Sequence, residues 1–70
     1  MTASEEPQLF DLVRLVVDLP AEGLTAGKVG TVVEVFEHPA TAYEVEFADD
    51  DGRTVAELAL LPTQIERVGR

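Results

Sequence analysis

Residues 27–36 read GKVGTVVEVF and residues 43–47 read YEVEF. The first stretch is rich in β-branched valine and starts at a glycine, a pattern typical of a strand entered through a turn. In the second stretch Tyr43, Val45 and Phe47 alternate with two glutamates, so three large apolar side chains share one side of a strand. The two stretches therefore predict paired strands, from Val29 to Phe36 and from Tyr43 to Phe47, with the three alternating apolar residues in the core.

The glycines of the first stretch have two interpretations. Gly27 and Gly30 would allow a ligand to approach the backbone closely, because glycine has no Cβ. A turn at Gly27 and a bulge near Gly30 explain them better, since the adjacent Val32 and Val33 break the alternation just beyond.

The rest of the chain supplies three further strands. Residues 10–19 contain several β-branched valines and precede Pro20, which favours a first strand. Residues 19–27 contain a proline and two glycines and are predicted to form a long loop without a regular element, anchored by Leu19 and Leu24. After a tight Asp51-Gly52 hairpin, a strand from Arg53 to Leu60 is expected. Thr54, Ala56, Leu58 and Leu60 are expected on one side of that strand, and Val55, Glu57 and Ala59 on the other, which is partly apolar. A 3₁₀ turn at residues 62–65 and a last short strand at residues 66–68 complete the prediction.

Together these elements predict an all-β fold, a five-stranded SH3-like small barrel with a long first loop and a 3₁₀ turn before the last strand. Residues 1–8 lack apolar periodicity and are expected to be a flexible tail, which leaves residues 9–70 as the barrel domain. A single domain is expected because the chain has 70 residues, and it contains no cysteine that could form a disulfide.

Charge and hydropathy limit the function. The chain has 14 acidic and 5 basic residues and a net charge of -9. Its basic residues are isolated along the sequence, so a nucleic-acid interface is not expected. A protein with this net negative charge is complementary to a basic protein surface. No apolar run reaches the ~20 residues that cross a membrane. The first residues are acidic and polar, unlike a secretory signal, so the cytoplasm is the expected location.

No cofactor, metal site or catalytic group is expected. The triplet Asp49, Asp50 and Asp51 lacks the spaced oxygen ligands of a calcium loop and is better explained as a hairpin turn, although a bound ion there stays an open alternative. Glu44 and Glu46 point the same way along one strand, but 70 residues leave little room for a substrate cleft, so a solvated face is favoured. We predict that the protein is not an enzyme.

Several segments together resemble a known family: residues 12–15 with 18–20, residues 23–24 with 27–35, the YEVEF strand, residues 50–54, and Leu58 with Leu61 and Gln64. This spacing is similar to the bacterial domain-of-unknown-function family numbered 4926, over residues 9 to 68. The resemblance implies a small SH3-like bacterial protein, in some members set beside toxin-like partner genes, with no established activity and no catalytic residues. The stretch from Gly27 to Val35 also resembles the glycine-led strand of KOW modules, but lacks the basic residues with which such modules meet RNA.

The leading hypothesis for function is a small acidic protein-interaction module, of an antitoxin, immunity or accessory type, that binds a basic protein surface. The expected partner-binding residues are Glu34, Glu44, Glu46, Asp49, Asp50 and Asp51. The alternatives are a structural or assembly domain that forms a homo-oligomer through Val55, Ala59 and Leu61, and a nucleic-acid-associated KOW-like module.

Overall fold

The computed structural model of the protein describes residues 6–69, which form one antiparallel sheet of five strands. The strands in chain order are β1 (Leu12–Leu15), β2 (Val29–Phe36), β3 (Ala42–Ala48), β4 (Thr54–Leu60) and β5 (Ile65–Arg67). Two 3₁₀ turns, Pro20–Glu22 and Pro62–Gln64, lie between β1 and β2 and between β4 and β5. Neighbouring strands in the sheet follow the order β4-β3-β2-β1-β5.

The pair β2 and β3 is the centre of the sheet, as the sequence predicts. Val35 lies opposite Tyr43, and Val32 opposite Val45. The register shifts between Val32 and Glu34, which confirms the predicted bulge and places the extra residue at Val33. The alternating residues Tyr43, Val45 and Phe47 are all buried, with at most 2% of their surface exposed.

Gly30 has a different role from the bulge predicted for it. It is buried in β2, and a Cβ there would lie 2.7 Å from the Glu46 carbonyl oxygen, 2.7 Å from Val45 Cγ1 and 2.9 Å from Phe47 Cδ1. Such distances leave no room for a methyl group, so glycine is required because β3 packs directly over this position. Gly27, by contrast, has a φ of +97° and serves the predicted turn.

One hydrophobic core joins the two ends of the sheet. Leu60 at the end of β4 and Ile65 at the start of β5 belong to the same buried cluster, together with Leu24 from the first loop. The full set of buried apolar residues is Val13, Leu15, Leu24, Val32, Tyr43, Val45, Phe47, Leu60 and Ile65. Burial of a side chain of this size contributes about 1.5–3 kcal/mol, so the shared core is the main stabilising contribution.

This arrangement is consistent with a small barrel-like fold and confirms the expected five-stranded all-β class. Within residues 6–69, however, β4 and β5 are not hydrogen-bonded to each other. The short connection of residues 61–64 and the shared core bring them together instead. The two outer strands therefore meet through side chains of the core and not through a ladder of hydrogen bonds.

The first loop is long, as predicted, but it is not free of regular structure. Pro20 opens the 3₁₀ turn Pro20–Glu22, and Gly23 closes it with a φ of +72°. Leu19 and Leu24 pair through backbone hydrogen bonds of 2.9 and 3.1 Å, so the two predicted anchors hold the loop's base together. A proline is well suited to the first position of such a turn because its φ is already fixed there.

Three boundaries differ from the sequence prediction. β1 covers four residues instead of ten, because Val16 and Val17 are exposed and lie beyond the register with β2. β5 begins at Ile65, one residue earlier than predicted, and the 3₁₀ turn before it ends at Gln64. Thr54 was expected on the same side of β4 as Ala56, Leu58 and Leu60, but a register shift between Phe47 and Ala48 turns it to the opposite side, beside Glu46.

The division into a tail of residues 1–8 and a domain from residue 9 stays a prediction. Residues 1–5 of that tail lie outside the described part of the chain. Gln8 is already held to the domain, since its backbone N–H donates to the Asp11 carboxylate and its carbonyl accepts from the Asp11 N–H. In residues 6–69 no helix has the length and apolar character that a membrane span requires.

Candidate protein-interaction surface

The outer side of the β2–β3–β4 part of the sheet is strongly acidic. These three strands contain four glutamates and neither lysine nor arginine. We call this surface the acidic face and define it by Glu34, Glu44, Glu46 and Glu57. The alternation of strand residues explains it, because the core takes the residues between the glutamates and leaves the carboxylates on the opposite side.

The strand registers bring the four carboxylates together. Glu34 on β2 lies directly opposite Glu44 on β3, and Glu46 on β3 lies directly opposite Glu57 on β4. Directly opposed residues have Cβ atoms about 4.5–5.5 Å apart, and like charges in such positions destabilise a sheet. Repulsion among the carboxylates of the acidic face therefore destabilises the folded sheet, and burial of the core residues has to compensate for it.

The effect of this repulsion between carboxylates is clearest at Glu44. Its pKa is raised above the ordinary value, first because the side chain is partly buried, and then because it shares a hydrogen bond with Glu57 and lies near the charges of Glu57 and Glu34. Two carboxyl groups share a hydrogen bond only when one of them holds a proton. A cation placed at this position would reverse the effect and favour the ionised form.

Glu46 is held in place by a neighbour. The Thr54 hydroxyl donates a short hydrogen bond to Glu46 Oε2. This contact exists because the register shift at Ala48 turns Thr54 outward. The Glu46 carboxylate is therefore already oriented on the surface, and a contact made there would cost less side-chain entropy.

The aspartate triplet lies at the turn between β3 and β4, and its members have different roles. Asp49 Oδ1 accepts hydrogen bonds of 2.9 Å from the backbone N–H groups of Asp51 and Arg53. The Asp49 backbone also bonds to Gly52 and Arg53. Asp49 therefore stabilises the hairpin itself, whereas the side chains of Asp50 and Asp51 are left to solvent.

A metal centre has no basis in the described residues. Across residues 6–69, no group of three or more histidine, cysteine, aspartate or glutamate side chains is arranged to hold a metal ion. The Asp49 carboxylate, the best-placed oxygen ligand of the triplet, is occupied by the turn. Whether a cofactor is used stays at the level of the sequence prediction.

Glu57 is the member of the acidic face that sequence reasoning left out of the predicted partner-binding set. A signal was present, since the sequence pattern places Glu57 on the opposite side of the fourth strand from Leu58 and Leu60. Counting residues outward along both strands from the Asp51-Gly52 turn places Glu57 near Glu46. The register shift in the hairpin moves the true pairing by one residue, and the sequence gives no sign of that shift.

The fold and this surface together define a class of protein: a small all-β domain with a barrel-like five-stranded sheet and an acidic outer face. The chain belongs to the family described as Domain of unknown function (DUF4926), whose model matches residues 9–67. The resemblance proposed from the sequence is thereby confirmed. No curated protein and no solved structure matches the chain.

Proposed function

We propose that this protein is a non-enzymatic interaction module whose acidic face binds a basic surface of another protein, in an antitoxin, immunity or accessory role. The observation that carries the proposal is the clustering of four glutamates, without a lysine or arginine, on three adjacent strands. Like charges placed in opposed positions destabilise the free sheet, and a cationic partner relieves that repulsion on binding.

Because the pKa of Glu44 is raised, the proposal predicts that partner binding depends on pH. A basic partner favours the ionised carboxylate, so it binds more tightly as the pH rises through the pKa of Glu44. Binding at a pH below that pKa releases a proton from the Glu44 and Glu57 pair. Salt weakens the same contact, because ions screen exposed charges over about 8 Å at physiological ionic strength.

The homo-oligomer alternative is less well supported by the geometry. Val55 and Leu61 expose about half of their surface, 53% each, which favours some apolar contact at β4. Ala59, the third residue of that alternative, lies directly opposite Glu44, and Glu57 stands between Val55 and Ala59. Self-association through this side would set the carboxylates of two copies against each other, so we favour a basic partner.

Co-purification from cells that naturally produce the protein tests the proposal. The tagged full chain is captured at low ionic strength and eluted with increasing salt, in parallel with the double variant Glu44→Gln, Glu57→Gln. The matched control is Glu22→Gln, Glu66→Gln, which removes the same charge from the first 3₁₀ turn and from β5. We expect a basic protein that elutes with salt from the wild type and from the control, and that is lost or strongly depleted with the double variant.

Two results would contradict the proposal. One is recovery of the free monomer alone at low salt. The other is equal retention of the partner by the double variant and the control, since the net charge and not the acidic face would then determine binding.

A further inference from the structure

The second half of β2 has a hydrogen-bonded neighbour on only one side. On one side β3 pairs with β2 from Thr31 to Phe36. On the other side β1 pairs only with residues 29–31. The next residue, Val32, accepts a hydrogen bond of 2.7 Å from the Phe10 N–H and donates one of 2.9 Å to the Asp11 carbonyl. Beyond Val32, no backbone partner for this side is present in residues 6–69.

A turn in the chain before β1 produces this opening. Gln8 and Asp11 hydrogen-bond to each other, and Phe10 between them has a φ of +71°, a left-handed conformation that is rare for a bulky residue. Before this turn, residues 7–9 make no backbone hydrogen bond to residues 33–36 of β2. Alternate backbone groups of residues 33–36 point away from β3, as in any antiparallel ladder, and so face the space that the turn leaves.

That space is a groove. Two adjoining cavities of about 480 and 330 Å³ lie between residues 6–9 and β2, and both are lined by Leu9 and Val35. Val33 extends the apolar part of the groove at one end, where Glu34 of the acidic face also lines it. Glu37 and Tyr43 lie at the other end, where the groove becomes polar.

The polar end of the groove is negative. The pKa of the Tyr43 phenol is raised, mainly because the side chain is buried, and further because the charges of Glu6 and Glu37 disfavour the phenolate. A field that disfavours an anion at the groove favours a cation there. The groove thus offers an apolar stretch, open backbone groups and a negative end in one line.

We propose that this groove binds an extended segment of a partner protein, which adds to the open edge of β2 as a further strand. The segment places an apolar side chain against Leu9 and Val35 and a lysine or arginine toward Glu37. Main-chain hydrogen bonds supply affinity in this mode of recognition, and the alternate side chains supply selectivity. The inference rests on the proposed function for the basic character of the partner, but it assigns a site beside the acidic face that shares with it only Glu34.

The test uses the full chain, labelled for NMR, and a short synthetic peptide of alternating valine and lysine as the probe. A second peptide has the same sequence with every backbone amide methylated, so that it keeps the charge but has no N–H group to donate along either edge. We expect the first peptide to shift the amide signals of Leu9 and residues 33–36, and the methylated peptide to leave them unchanged. Glu37→Lys is expected to weaken binding about tenfold, whereas the control Glu22→Lys, in the first 3₁₀ turn, changes affinity much less.

The outcomes separate this inference from the proposed function. If both peptides bind equally and shift only signals of Glu44, Glu46 and Glu57, the groove is refuted while the acidic face stands. If neither peptide shifts any signal at low salt, both ideas fail. If the amides of residues 33–36 are already protected from hydrogen exchange in the free chain, and lose that protection when residues 1–5 are deleted, the chain's own start occupies the groove and the partner segment is refuted.

Discussion

Replacement of Gly30 by alanine tests the packing of β2 against β3 most sharply. The added methyl group would lie 2.7 Å from the Glu46 carbonyl oxygen and 2.7 Å from Val45 Cγ1. An overpacked core costs about 1–3 kcal/mol, and we expect the upper end because one of the colliding atoms is backbone that is fixed by strand pairing. A 70-residue domain has about 4–10 kcal/mol of stability in total, so the loss is a large fraction of it.

The assay for Gly30→Ala is equilibrium unfolding in urea followed by circular dichroism. With a slope of about 1 kcal/mol per molar urea for a chain of this size, the midpoint should fall by about 2–3 M. The control is Gly52→Ala, where a Cβ meets nothing within 4 Å and only the positive φ of +81° opposes the change, at a cost of about 1 kcal/mol.

A double-mutant cycle then identifies the cause of the loss. Val45→Ala removes the Cγ1 atom that meets the new methyl group, so it should cost less in the Gly30→Ala background than in the wild type. The expected coupling is about 0.5–3 kcal/mol, the range for residues in contact. Additive effects of the two substitutions, or a Gly30→Ala cost no larger than that of Gly52→Ala, would refute the close approach of β3 to Gly30.

Three further predictions concern the surface. Glu44→Gln should stabilise the protein by about 0.2–1 kcal/mol at neutral pH. Because the folded-state pKa of Glu44 is raised, the stability that its protonation contributes is fully present below the unfolded-state pKa and is lost as the pH rises through the folded-state pKa. In urea unfolding at several pH values, the wild type should therefore gain stability on mild acidification, and the variant should gain less. The pKa of Tyr43, the single tyrosine, should lie above the ordinary value in an ultraviolet titration and should fall toward it in Glu37→Gln; an unchanged titration would contradict the negative end of the groove. Asp49→Ala should cost about 1–3 kcal/mol because two backbone N–H groups of the hairpin lose their acceptor, whereas Asp50→Ala should be nearly neutral in the same unfolding assay.

The sequence predicted the central strands because the local and long-range requirements agree there. Val29 to Phe36 is a β-branched run bounded by a turn on each side, and the structure begins and ends β2 at those residues. The alternation of Tyr43, Val45 and Phe47 with glutamates determined both the core and the outward carboxylates. The 3₁₀ turn before the last strand followed from Pro62 in the same way.

Features that depend on register or on distant contacts could not be predicted from the sequence. β1 stops at Leu15 because its pairing with β2 ends at Arg14 and its pairing with β5 ends at Leu15, although Val16 and Val17 favour a strand locally. The outward position of Thr54 depends on a one-residue shift in the hairpin. The groove beside β2 depends on the turn at Phe10, a residue type that gives no sign of a left-handed conformation.

The central claim is that the acidic face, and not the overall negative charge, binds a basic protein. It is tested most directly by measuring the affinity of the captured partner, by calorimetry at several salt concentrations, for the wild type and for the two charge-matched double variants. Glu44→Gln, Glu57→Gln should bind much more weakly and with a smaller salt dependence, while Glu22→Gln, Glu66→Gln should bind nearly as well as the wild type. Equal affinities and equal salt dependence of the two variants would contradict the claim.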